Sequence, residues 1–181
     1  NSLDISGTDY AILGNQIYGT TINGFLSTEF ALGIDRVVLH DTNGDFAPDS
    51  FDTGPNLNDA GDTDSGANNS INYPVLNSIS QSDNKATINY SLDAADSPTG
   101  TYRIEFFAND TANLSGHGEG QKFLGAITSS SGNNQQTSLS LPTGYSLSGK
   151  SISSTTTAID STKPSGYGST SEFSKNIQVA S

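Results

Sequence analysis

The chain has no cysteine, methionine or tryptophan, and only seven basic residues stand against 19 acidic ones. Without cysteine there can be no disulfide frame, no thiolate zinc centre and no Cys–His nucleophilic pair. No stretch approaches the ~18 consecutive apolar residues that a membrane-spanning helix requires. A formal charge of -12 repels phosphate backbones, so nucleic acid is excluded as a partner and divalent cations are favoured. Hydrophobic residues are scarce at 32%, which together with the charge leans towards disorder. Against that, 7 Tyr and 8 Phe recur inside strand-length runs, and the Ser/Thr/Asn/Asp/Gly-rich remainder suits turns and polar strand faces better than long helices. A folded all-β protein is expected. The chain carries no signal-peptide pattern and begins with Asn1 rather than Met, so a processed or excised piece of something longer is expected.

Charge divides the chain. Residues 1–74 hold 11 acidic residues and one basic residue, Arg36, a net of -10; residues 75–181 hold 8 and 6, a net of -2. Three regions follow from this and from the patterning. Residues 1–40 contain short apolar pieces (Leu3–Ile5, Tyr10–Leu13, Gln16–Tyr18, Thr21–Asn23, Gly33–Leu39) of strand length, separated by Gly, Asn and Thr. Periodicity alone fits stacked β-helix coils or a β-meander. Residues 41–74 form an acidic Asp/Asn/Gly loop, and a connector of that length is usually functional or disordered. Residues 75–181 read as a seven-stranded β-sandwich, with strands expected at 75–80, 85–92, 101–108, 122–129, 137–141, 150–160 and 172–179. Alternation is clearest in Ile88/Tyr90/Leu92, in Tyr102/Ile104/Phe106 and in Phe173/Ile177/Val179.

Several phrases occur in a fixed order: Asn15-Gln-Ile-Tyr-Gly19, Leu32-Gly-Ile-Asp35, Asn58-Asp-Ala-Gly-Asp-Thr-Asp-Ser-Gly66, Asn72-Tyr-Pro-Val-Leu76, Thr101-Tyr-Arg-Ile-Glu-Phe-Phe107 and Gly118-Glu-Gly-Gln-Lys-Phe-Leu-Gly125. Together they resemble the C-terminal part of a bacterial surface or secreted protein of the parallel (right-handed) β-helix repeat type. The resemblance implies terminal β-helix coils at 1–40, the acidic loop at 41–74 and an immunoglobulin-like sandwich at 75–181. It also implies a secreted or cell-surface location.

Chemistry concentrates in the acidic loop. Asp41, Asn43, Asp45, Asp49 and Asp52 stand at positions 1, 3, 5, 9 and 12 of a calcium-loop spacing, and the carbonyl of Ala47 falls at position 7. Phe46 replaces the usual turn glycine and Asp52 the longer Glu, so this would be an isolated Ca2+ turn without flanking helices. A second oxygen cluster follows in Asn56, Asn58, Asp59, Asp62 and Asp64. Both runs fit either Ca2+ ligands or solvated Asx-turns.

Catalytic readings are weaker. His40 and His117 are far apart, and His117 is expected on a surface loop. Glu105 is expected to face outward beside Arg103 on one strand. Asp35 and Arg36 would supply a polysaccharide-lyase base only within a longer groove. A Lys–Asn cross-link would need Lys85, Lys122 or Lys175 buried beside an amide and an acid. The sequons at Asn68, Asn89, Asn109 and Asn113 arise easily in this composition. No enzyme is expected, but an extracellular, Ca2+-stabilised structural or adhesive module. Its partners would be further copies of itself in a filament or surface layer, through exposed β edges, or a cell-surface glycan or protein. The alternative is a carbohydrate-active module, either a lyase fragment or a glycan-binding sandwich using Tyr145 and Tyr167.

Overall fold

A computed structural model of the chain describes residues 3–5, 7–18, 33–36, 39–40, 50–51 and 54–180. Four short strands come first: β1 (Leu3–Ile5), β2 (Ile34–Arg36), β3 (Leu39–His40) and β4 (Ser50–Phe51). β1 and β2 pair in parallel, with Leu3 opposite Ile34, and β3 and β4 pair antiparallel. Eight strands follow: β5 (Val75–Ser82), β6 (Lys85–Leu92), β7 (Thr101–Asn109), β8 (Lys122–Ser130), β9 (Gly132–Ser140), β10 (Ser151–Ile159), β11 (Tyr167–Thr170) and β12 (Ile177–Gln178). They form two antiparallel sheets, β5-β6-β9 and β11-β10-β7-β8, with β12 also on β10. The chain is all-β and builds a β-sandwich, as its alternation predicts.

The core follows from the period of two. Ala86, Ile88, Tyr90 and Leu92 of β6 face Tyr102, Ile104, Phe106 and Ala108 of β7, joined by Leu139, Ile152 and Ala158 from neighbouring strands. Each large side chain so buried contributes about 1.5–3 kcal/mol. The rings of Tyr90 and Phe106 meet edge to face at 6.2 Å between centroids.

Two expectations are corrected. Eight sandwich strands are present rather than seven, β11 (Tyr167–Thr170) being the addition, and β9 starts at Gly132, five residues before the expected strand at 137–141 does. Only Ser131 separates β8 from β9 as the chain passes from one sheet to the other. Its hydroxyl donates to the Leu92 carbonyl and accepts from the Ala94 amide (both 2.9 Å). The polar run Asn133–Gln136 then pairs with β6 through its backbone and through the Gln136 amide on Asn89, which apolar periodicity cannot reveal. The second correction concerns 172–179, which is no continuous strand. Within it only Ile177–Gln178 pairs as a strand, and β11 lies upstream. Between the two, the Ser171 and Ser174 hydroxyls accept the amides of Thr156 and Ser154, taking the place of ladder carbonyls.

The outer face of the β11-β10-β7-β8 sheet is also covered. Residues 7–18 and 33–34 lie over it, and Ile12 and Ile34 form a second core with Phe107 and Phe173. The amide of Ile12 donates to Thr170 Oγ1, and that of Gly14 to Glu105 Oε2 (2.7 Å). Ile17 makes an antiparallel bridge with Gly120. Consequently Glu105, which points away from the sandwich interior, is only 1% exposed and holds Arg103 at 2.7 Å. Phe173 sits in a slot lined by glycine. A Cβ on Gly33 or Gly120 would fall 2.9 or 2.8 Å from its ring, and the Phe107 ring meets it edge to face at 5.4 Å between centroids.

Candidate metal centre

Residues 54–74 lie along the sandwich, and their polar side chains fix their course. Asn58 exchanges two hydrogen bonds with the backbone of Tyr73. Asn56 gives its backbone and side-chain N–H groups to the carboxylate of Glu172, which is buried. Asn72, 2% exposed, accepts the Asp59 amide and donates to the carbonyls of Asp59 and Asp93. Asn68, fully buried, accepts the Tyr10 amide and donates to the carbonyls of Tyr10 and Thr170. It thereby ties the outer layer, the loop and the sheet together. Asn68, Asn69 and Ser70 all have positive φ, a left-handed turn that asparagine tolerates better than most residues.

The turn Asp59–Asp64 is held on this frame. Gly61 and Asp62 have positive φ, and the Gly61 amide donates to Asp93 Oδ2. Asp59 accepts the amide and hydroxyl of Thr63, with the hydroxyl at 2.7 Å. These bonds hold its carboxyl below the ordinary carboxylate value. Asp62 is 7% exposed; its two oxygens accept the amides of Asn72 (2.8 Å) and Ala95 (2.7 Å). Burial nevertheless raises its pKa, and the charges of Asp59 and Asp64 add to the rise against those two amides.

Asp59, Asp62 and Asp64 each present a carboxylate oxygen, and the three ligand atoms lie within 4.8 Å of one another. Oxygens around one Ca2+ at 2.3–2.6 Å can stand no more than about 5 Å apart, so the triad has the span of a shared cation site. An all-oxygen, triply anionic set suits a hard divalent ion, which would also relieve the repulsion that raises Asp62. The triad could hold a metal.

Of the sequence-predicted ligands, Asp59, Asp62 and Asp64 are brought together. Asn56 and Asn58 of the same cluster serve as latches to Glu172 and Tyr73 instead. Asp41, Asn43, Asp45, Ala47, Asp49 and Asp52 lie outside the described residues. The structure adds Asn68, Asn72 and Asp93 to the loop's support, residues whose partners stand up to 102 positions away in sequence. His117 departs from its expected surface position. It is 8% exposed, meets the Tyr73 ring at 5.3 Å and places Nδ1 3.2 Å from the Phe173 carbonyl. Burial lowers its pKa and favours the neutral ring. Tyr167 opens β11 half-buried, and Tyr145 packs at the edge of the main core.

No known protein family and no curated protein matches the chain.

Proposed function

We propose that the chain is a non-catalytic structural and adhesive module of a secreted or cell-surface protein. In this reading Ca2+ held by Asp59, Asp62 and Asp64 stiffens the joint between the N-terminal β region and the sandwich. The observation that carries the proposal is the convergence of three carboxylates on a loop that is bonded to both layers. Ca2+ fits better than Mg2+, because three carboxylates plus carbonyls and water suit its six to eight flexible ligands, whereas Mg2+ retains most of its waters.

The parallel β1–β2 pair supports the reading of the N-terminal region as β-helix coil, since stacked coils pair in parallel. Two antiparallel sheets of three and five strands, with β8 crossing to β9 in the opposite sheet, support an immunoglobulin-like assignment for the sandwich. Assembly into a filament or layer would use the strand edges of β5, β8 and β9. β5 and β9 carry a bulge and an amide-rich surface, devices that restrain indiscriminate pairing.

Thermal melts in Ca2+, Mg2+ and chelator test the metal. A site filled a hundredfold above Kd adds about 2.7 kcal/mol, or roughly 5–10 °C for a chain of this size. Ca2+ should raise Tm by that order and Mg2+ by less, and the double variant Asp59→Asn/Asp64→Asn should lose the response. A Tm indifferent to chelation removes the calcium assignment. Light scattering with Ca2+ and with chelator tests assembly, and a strict monomer in both leaves only a structural role without self-assembly.

A further inference from the structure

Away from the triad, the N-terminal layer and the sandwich flank an open pocket of about 430 Å³. Its walls come from Gln16 and Tyr18 on one side, and from Asp110, Gln121, Lys122, Tyr145 and Lys150 on the other. That volume is within the range of small-molecule sites, about 300–1,000 Å³.

The polar groups are already held in place. Asp110 accepts Lys150 Nζ at 2.7 Å and the Gln121 side-chain amide at 2.9 Å, while Gln121 Oε1 accepts the Asp110 backbone amide at 2.8 Å. Lys122 Nζ rests 3.8 Å from the centroid of the Tyr145 ring, and among the described residues it pairs with no carboxylate. Tyr18 is 55% exposed, an aromatic ring left in water at the mouth of the pocket. Two of the seven basic residues of a chain carrying -12 thus meet at one cavity, with a single acidic residue between them.

Planar amides and a carboxylate fixed beside an exposed ring match a ligand with many hydroxyls and one apolar face. The Lys122 ammonium, which among the described residues rests on the Tyr145 ring and meets no carboxylate, matches an acid group on that ligand. We propose that this pocket is a glycan subsite for an acidic sugar, with the Tyr18 ring against the sugar's apolar face and Lys122 facing its carboxylate. Gln121 and Asp110, held by each other and by Lys150, then meet hydroxyls without prior rearrangement, which limits the ordering cost of binding, and Gln16 adds a further amide at the wall. The site shares no residue with the acidic triad, so its failure would leave the calcium reading untouched.

The test is calorimetric titration of the full chain in chelator, which removes metal bridging, with trigalacturonate and with its fully methyl-esterified form. Trigalacturonate is expected to bind at least tenfold more tightly than the ester. Lys122→Gln should abolish that preference, and Tyr18→Ala should weaken both ligands at least tenfold. Tyr10→Ala, which removes an equally exposed ring away from the pocket, should change binding less than twofold. Circular dichroism checks that each variant is folded, and chemical-shift changes of the Gln16 and Gln121 side-chain amides on titration give a readout that needs no variant. Equal affinity for acid and ester, or no binding of either, overturns the proposal. So does acid binding that leaves those amides unmoved.

Discussion

In the sandwich the side chains that leave water are Ile88, Tyr90, Leu92, Tyr102, Ile104 and Phe106, and between residues 54 and 74 they include Asn68, Asn72 and Asp62. The first set is held by apolar area and a regular ladder. The second set replaces a ladder, because its carbonyl, amide and carboxylate groups satisfy backbone atoms that have no strand partner. The contrast explains how a chain with few hydrophobic residues still orders a long polar loop. It also implies different failure modes. Apolar burial is shared and fails globally, whereas an asparagine latch serves named backbone groups and fails locally.

Phe106→Ala should have the largest effect, about 3–5 kcal/mol, because it opens a cavity between the two sheets. Denaturant unfolding should show the loss in a single transition for all probes. Asn68→Ala follows at about 2–3 kcal/mol, since three backbone groups lose their partner. Its mark in hydrogen exchange should be faster exchange at Tyr10 and Ile12, with β6 and β7 little changed. Global acceleration by Asn68→Ala would erase the distinction between the two regions.

A polar intrusion into the apolar region sharpens the comparison. β10 places Ser154 and Thr156 on the core side, opposite Phe106 and Ile104, and among the described residues their hydroxyls have no hydrogen-bond partner. Thr156→Val should therefore stabilise the protein by about 1 kcal/mol, read as a raised Tm. The same type of change at Asn72, whose side-chain amide makes three hydrogen bonds, should destabilise.

The smallest effect concerns pH. The folded-state pKa of Asp62 is raised, so its contribution to stability is complete below the ordinary value of 3.8 and is lost as pH rises through the folded value. Ca2+ requires the ionised carboxylate, so the calcium-dependent rise in Tm should shrink as pH falls through that window. Melts in Ca2+ and in chelator from neutral pH to pH 4 check this; a constant gap would exclude Asp62 as a ligand.

How much of this was legible in the sequence depended on period and distance. Ile88/Tyr90/Leu92 and Tyr102/Ile104/Phe106 announced their strands because one face of each meets a dry core. Phe107 held an overlooked signal, an aromatic on the face that alternation assigns to solvent; it is buried under Ile12 and Ile34, and Glu105 is covered with it. The expected strand at 172–179 failed because side-chain hydroxyls at Ser171 and Ser174 can stand in for ladder carbonyls. Asp59, Asp62 and Asp64 were readable as an oxygen cluster from their closeness in sequence, and the structure brings their carboxylates together. The latches were not, since nothing near Asn68 or Asn56 in sequence points to Thr170 or Glu172.

The central claim is that a cation gathers Asp59, Asp62 and Asp64 and fixes the loop between the two layers. Amide hydrogen exchange in Ca2+ and in chelator measures this directly. Calcium should slow exchange at Gly61, Thr63, Asn72 and Ala95, whose amides donate to carboxylates of Asp59, Asp62 and Asp93, and leave Ile88 and Ile104 unchanged. Equal protection at those four amides in both solutions would contradict the account.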